Sequence, residues 1–195
     1  MILITGGCGY LGSHCVTSLL EMNIKVCSID NFSNSSPEVL TKIKSISNNN
    51  FEFYEGDIRD EKFINNVFKK NDIDAVIHFA GLKSISESIE NPLAYYSNNI
   101  AGTINIINIM KSNRVNNIIF SSSATVYGIR HSPPWDETLK LESPSNPYAK
   151  SKYMIEEILQ NLTKKDKELR VGVLRYFNPI GAHPSGLIGE EILSG

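Results

Sequence analysis

Tyr148 and Lys152 stand four residues apart in a stretch of helical period. That spacing places a phenol and an ammonium side by side on one helix face. Upstream, Ser121, Ser122 and Ser123 close an apolar run that reads as a buried strand. A free phenol titrates near about 10, too high for a base at neutral pH. A neighbouring cation favours the phenolate and lowers that value, as an oxidised nicotinamide would. With a serine hydroxyl bridging the same oxygen, the set can take a proton from a substrate hydroxyl while hydride leaves the carbon bearing it. Taken alone, Tyr148 and Lys152 read as a surface pair on a helix. A second group of residues argues against that.

Thr5-Gly6-Gly7-Cys8-Gly9-Tyr10-Leu11-Gly12 lies between the first strand-like run and the first helical one. Gly6, Gly9 and Gly12 have the spacing of a loop that turns tightly and lets its backbone approach a pyrophosphate. The free N–H groups of the following helix start, at Tyr10 and Leu11, can then hold the anion. Asp30 ends the second strand, where a carboxylate would accept the adenosine ribose hydroxyls and repel a 2′-phosphate. Asn31 follows it. The expected cofactor is NAD. The other reading of Asp30 is a strand-end residue capping the next turn.

These residues need a scaffold. Ile2–Thr5, Lys25–Ile29, Phe51–Tyr54, Ala75–Phe79, Asn117–Ser121 and Val171–Leu174 read as strands. Tyr10–Glu21, Pro37–Ser47, Asp60–Lys70, Leu93–Ser112 and Pro147–Thr163 read as helices between them. The alternation predicts an α/β fold, a doubly wound parallel sheet of Rossmann type. Near-continuous apolar strands predict helices on both faces. The polar loop Asn31–Ser36 and the Pro-rich loop Ile129–Asn146 stand out as long connections at functional ends of the sheet.

The chain has 195 residues, 41% hydrophobic and 21% charged, with a net charge of −2. No basic excess points to a nucleic-acid or membrane-surface partner. No apolar run has the length of a membrane span. Cys8, Cys15 and Cys27 read as free thiols of a reducing compartment, so a cytoplasmic protein is expected. His14, His78, His131 and His183 lack ligand spacing, and no metal is expected.

The glycine loop combined with Tyr148-x-x-x-Lys152 resembles the extended short-chain dehydrogenase/reductase superfamily. His78-Phe79-Ala80-Gly81-Leu82-Lys83, Ser121 to Gly128 and Arg175 to Gly186 are similar to the UDP-galactose 4-epimerase family within it. The resemblance implies that Tyr148 is the acid/base and Ser123 its hydrogen-bond partner. It implies that Lys152 lowers the tyrosine pKa and holds the nicotinamide ribose. It makes Phe79, Ala80, Lys83, Asn98 and Ser121 cofactor contacts, places Asp57 and Ile58 around the adenine, and puts Tyr176 near the nicotinamide. Lys83, Ser123, Tyr148 and Asn178 would touch a UDP-sugar. Related dehydratases carry an Asp-Glu pair after the serine strand and decarboxylases a Glu; Ala124 and Thr125 stand there. That favours 4-epimerisation of a UDP-hexose through a transient 4-keto sugar over dehydration or decarboxylation. An intact Ser123, Tyr148 and Lys152 argues against a non-catalytic dinucleotide sensor. Residues 1–180 are then the NAD-binding domain and 181–195 the start of a substrate domain, most of it missing, which leaves the activity of the chain by itself open. The resemblance also implies a homodimer, packed through the helices carrying Ile100, Ile104, Ile107, Met154, Ile155 and Ile158.

Overall fold

The computed structural model describes residues 1–47, 51–128, 131–132, 134–142 and 144–190. β1 (Ile2–Thr5), β2 (Val26–Asp30), β3 (Glu52–Glu55), β4 (Ala75–His78), β5 (Asn117–Ser123) and β6 (Arg170–Tyr176) form one parallel sheet. Their order is β3-β2-β1-β4-β5-β6. The chain winds outward from β1 to β3, then crosses back to β4 on the other side. Helices leaving β1 and β4 therefore diverge, and a crevice opens at the carboxyl ends of those two strands.

α1 (Tyr10–Glu21) and α2 (Glu38–Ser47) cover one face, where Val16, Leu20, Val39 and Ile43 pack on Ile4 and Val26. α3 (Glu61–Lys70), α6 (Gly102–Ser112) and α7 (Pro147–Lys165) cover the other, with Ile64, Ile106, Ile109, Ile155 and Leu159 on Leu3, Val76, Ile118 and Phe120. The doubly wound α/β fold expected from the strand–helix alternation is present. Helix starts follow local chemistry. Asp60 accepts from Phe63 N–H at 3.0 Å to begin α3. Asn146 accepts from Ala149 N–H at 2.8 Å to begin α7, with Pro147 in its first turn.

Two findings refine the expectations. The helix expected over Leu93–Ser112 is present without a break, as α5 (Pro92–Tyr95), a π-turn (Tyr96–Ala101) and α6, and an unexpected short α4 (Ile85–Glu90) precedes it. α4 was hidden by its length of six residues and two isoleucines, Ile85 and Ile89, which stand four apart but face outward at 46% and 64% exposure. The second, a correction, concerns coverage. β2 is buried along its whole length, but β6 alternates, and Ile119, Gly172 and Leu174 share an open sheet face. On that face α1 lies over β1 and β2, and among the described residues no helix reaches β5 or β6.

Residues 181–190 fold back onto the first β-to-α turn. Tyr10 Oη donates to the Gly181 carbonyl at 2.8 Å, and Ile188 is buried beside the α1 and α2 cluster. Residues 191–195 lie outside the described residues, as do 129, 130, 133 and 143 of the Pro-rich loop.

Candidate functional site

The glycine loop is shaped by close approach. Gly6 has φ +72°, and a Cβ there would sit 2.7 Å from the Ala80 nitrogen. At Gly12 a Cβ would be 1.9 Å from the Gly6 carbonyl oxygen. Only hydrogen at both positions lets α1 begin directly against the end of β1. Gly9 caps α1 without a side chain, and no acidic residue lies in its first turn. The N–H groups of that turn are therefore left to face the cleft with the positive end of the helix dipole. A pyrophosphate fits this cradle.

Asp30, only 8% exposed, accepts from Cys8 N–H at 2.9 Å, from Phe32 N–H at 2.9 Å and from Ser35 Oγ at 2.8 Å. Its present partners are those of a turn-capping residue. The same bonds hold the carboxylate at the mouth of the glycine loop. Asn31 Nδ2 donates to Asp57 at 3.1 Å. Hydrogen bonds from Arg59 hold the Asp57 carboxyl down at about 2, a stabilisation that burial only partly opposes. Asp57 does not line the cleft, whereas its neighbour Ile58 does.

Across the crevice, the Ser123 hydroxyl is near enough to Tyr148 to favour its phenolate. Ser123 Oγ also accepts from Thr125 Oγ1 at 2.9 Å, which leaves its own proton for the phenol oxygen. Burial pushes the Tyr148 phenol up, while Ser123 and the Lys83 ammonium pull it down. The Lys83 ammonium is a cation acting on Tyr148 in this geometry, one that the helical spacing did not announce. Lys152 instead donates from Nζ to the Ser121 carbonyl at 2.8 Å and lies over the Phe120 ring. Burial lowers its own pKa to about 8. Lys83 is exposed and paired with Glu190 at 2.9 Å. Tyr176 is half-buried at the end of β6, and Asn178 is exposed just beyond it.

Sequence reasoning missed two buried groups. Asn99, in the π-turn, accepts from Leu82 N–H at 2.8 Å and from Asn98 Nδ2 at 3.0 Å. Its own amide donates to the Leu82 carbonyl at 3.0 Å and to Ser151 Oγ at 3.1 Å. It thus ties the loop after β4 to the helix bearing Tyr148. The i→i+5 widening of a π-turn is what admits such a side chain, and no residue pattern announces it. Glu156, on the stripe of Tyr148 and Lys152, is the other; its spacing was a signal available in the sequence.

The cleft encloses about 1300 Å³, above the range of about 300–1,000 Å³ usual for a drug-sized ligand. Every expected site residue except Asp57 lines it. Among the described residues no cluster of His, Cys, Asp and Glu could hold a metal, and no helix is long and apolar enough to cross a membrane. The model of the NAD dependent epimerase/dehydratase family matches residues 2–193. The chain belongs to this family. Within it, UDP-glucose 4-epimerase of Haemophilus influenzae is 49% identical over 190 residues, covering 97% of this chain and 56% of the relative. The Dictyostelium discoideum UDP-glucose 4-epimerase is 50% identical, over 97% of this chain and 55% of its own length. Among solved structures, UDP-glucose 4-epimerase from Bifidobacterium longum in complex with NAD+ and UDP superposes with a TM-score of 0.95 at 44% identity, covering 97% of this chain and 57% of that one. The chain spans about half the length of the curated relatives it matches.

Proposed function

We propose that the protein carrying this chain interconverts UDP-galactose and UDP-glucose, with NAD held in the cleft. The observation that carries the reading is the opposition of two machineries across one crevice. A capless helix start at Gly9 faces a half-buried Tyr148 with Ser123 beside it. NAD, when bound, supplies a hydride acceptor and, on return, the donor. Tyr148 takes the proton of the sugar 4-hydroxyl and gives one back to the 4-keto oxygen after the sugar has turned over. Ser123 donates to that oxygen throughout. Lys152, anchored on Ser121, is placed to reach a ribose hydroxyl, and Lys83 favours the phenolate. Asp30 favours NAD over its 2′-phosphorylated form. Ala124 is buried and Thr125 turns back to Ser123, so no acid stands where elimination of water would need one.

The names of the relatives support the same reaction and cofactor. Residues 1–180 serve as the NAD-binding domain in this reading. A homodimer through α6 and α7 is part of the proposal, resting on exposed Ile104 and Met154; Ile155 is instead core, because it faces the protein's own sheet. Cytoplasmic residence fits three free thiols, with burial pushing Cys15 to about 11 and Cys27 to about 12. The test is product analysis of the whole protein, purified with bound NAD and supplied with UDP-galactose. UDP-glucose is expected without net consumption of NAD; no epimer at any pH would overturn the reading.

A further inference from the structure

Three consecutive serines at the end of β5 meet a single stripe of α7. Ser123 faces Tyr148 and favours its phenolate, and the Ser121 carbonyl accepts from Lys152. Ser122 Oγ donates to Glu156 Oε1 at 2.5 Å. Tyr148, Lys152 and Glu156 are each one helical turn apart, so strand and helix engage like a ladder with three rungs. The reaction described above uses the first two rungs and leaves the third without a role.

That third rung is elaborately held. Glu156 is 1% exposed. Arg175 grips it from β6, with Nε at 3.2 Å from both carboxylate oxygens and Nη2 at 2.8 Å from Oε2. The guanidinium also donates to Tyr127 Oη at 3.2 Å and stacks on that ring at 5.0 Å. Tyr127 closes the short 3₁₀ turn that follows Ser123. A buried ion pair is a poor source of stability, because desolvation offsets its attraction and an apolar pair of like volume would pack as well. An apolar pair would not, however, fix the height of the helix along the strand. Directional, charge-assisted hydrogen bonds do.

We propose that Glu156 is a positioning residue: it sets the register of α7 against β5, and so the Ser123–Tyr148 contact, and through Arg175 it ties in Tyr176. The proposal rests on the reading of Tyr148 as the acid/base, and its test does not require turnover. The titration of Tyr148 is followed by NMR of ring-labelled tyrosine in the whole protein, unmodified and as Glu156→Gln, Ser122→Ala and the pair Glu156→Leu/Arg175→Met. The Tyr148 midpoint should rise by about half a unit or more in Glu156→Gln, as the serine hydrogen bond that favours the phenolate is lost. Ser122→Ala, which keeps the ion pair, should move it less in the same direction, and Tyr153, which bonds Glu157, should not move. Turnover per bound NAD should fall about tenfold with KM for the UDP-sugar changed less than about twofold. Should Glu156→Gln fail to fold, the Leu/Met pair, which leaves no charge unpaired, decides. An unmoved Tyr148 midpoint in the folded variants overturns the proposal. An unmodified protein that titrates as described but makes no epimer counts against the proposed reaction alone.

Discussion

The two halves of the sheet solve the same positioning problem by different means. On the β1–β3 side, helices lie on both faces, β2 is buried throughout, and the functional groups are backbone N–H donors of the glycine loop held by steric fit. On the β4–β6 side, one face is open at Ile119, Gly172 and Leu174, and the functional groups are side chains. These are placed by polar contacts from Ser121 and Ser122 to α7 and from Asn99 to Ser151. Where the core is thick, packing alone can locate a backbone. Where it is thin, hydrogen bonds must locate side chains.

The comparison can be broken at several points. The largest effect is expected at Tyr148. Tyr148→Phe keeps the ring against Tyr95 but removes the proton acceptor, so UDP-galactose turnover should drop by about 10²–10⁴-fold with NAD still bound. Assay of the whole protein, with bound NAD quantified after denaturation, checks this, and near-normal turnover would place the chemistry elsewhere.

Gly12→Ala tests the packed side. Its Cβ would meet the Gly6 carbonyl oxygen, backbone that cannot swing away, so about 3 kcal/mol or more of stability should be lost. Urea denaturation reads it directly; a loss under about 1 kcal/mol would show the loop to be pliable.

Lys152→Met should do the opposite to stability. The Lys152 pKa falls from 10.5 to about 8 on folding. Below about pH 8 the cation is present in folded and unfolded chains alike, and the folded chain bears the full cost of burying it. Between about 8 and 10.5 the folded chain sheds its proton first, so stability rises with pH. Lys152→Met should therefore be more stable than the unmodified protein by about 3 kcal/mol at pH 7, with the gap closing towards pH 10.5. Turnover should fall at the same time. A gap independent of pH would mean that Lys152 is not buried as a cation.

Asp30→Ala should narrow the preference for NAD over its 2′-phosphorylated form by about tenfold, measured by calorimetry. It should also cost about 1–2 kcal/mol of stability, since the buried Cys8 N–H loses its acceptor. Equal affinities for both cofactors in the unmodified protein would remove Asp30 from the cofactor site. The smallest change belongs to the open side. At Gly172 a Cβ would find only Ile119 Cγ1 at 3.5 Å, so Gly172→Ala should shift stability by less than about 1 kcal/mol, in contrast to Gly12→Ala.

The glycine loop, Asp30 and the Tyr148–Lys152 pair were legible because each is local: one turn, one strand end, one helical repeat. α4 was not, since six residues with two outward-facing isoleucines give too short an apolar pattern to read. Nor was the π-turn, which depends on Asn99 finding Leu82 and Ser151 from distant segments. The bond from Lys152 to the Ser121 carbonyl was hidden for a related reason. Spacing along one helix says that two side chains share a face, but not which neighbour across the gap each one meets.

Element order, sheet class, the cofactor loop and the residue types for proton transfer are therefore properties of the sequence itself, because backbone sterics and apolar periodicity act over a few residues. Tertiary structure alone decided that Lys83 acts on the Tyr148 phenol, that Arg59 holds the Asp57 carboxylate, and that Glu156 and Arg175 join β5, β6 and α7. Those outcomes depend on burial and on distances between groups far apart in the chain. Electrostatic and hydrogen-bond energies change steeply with both.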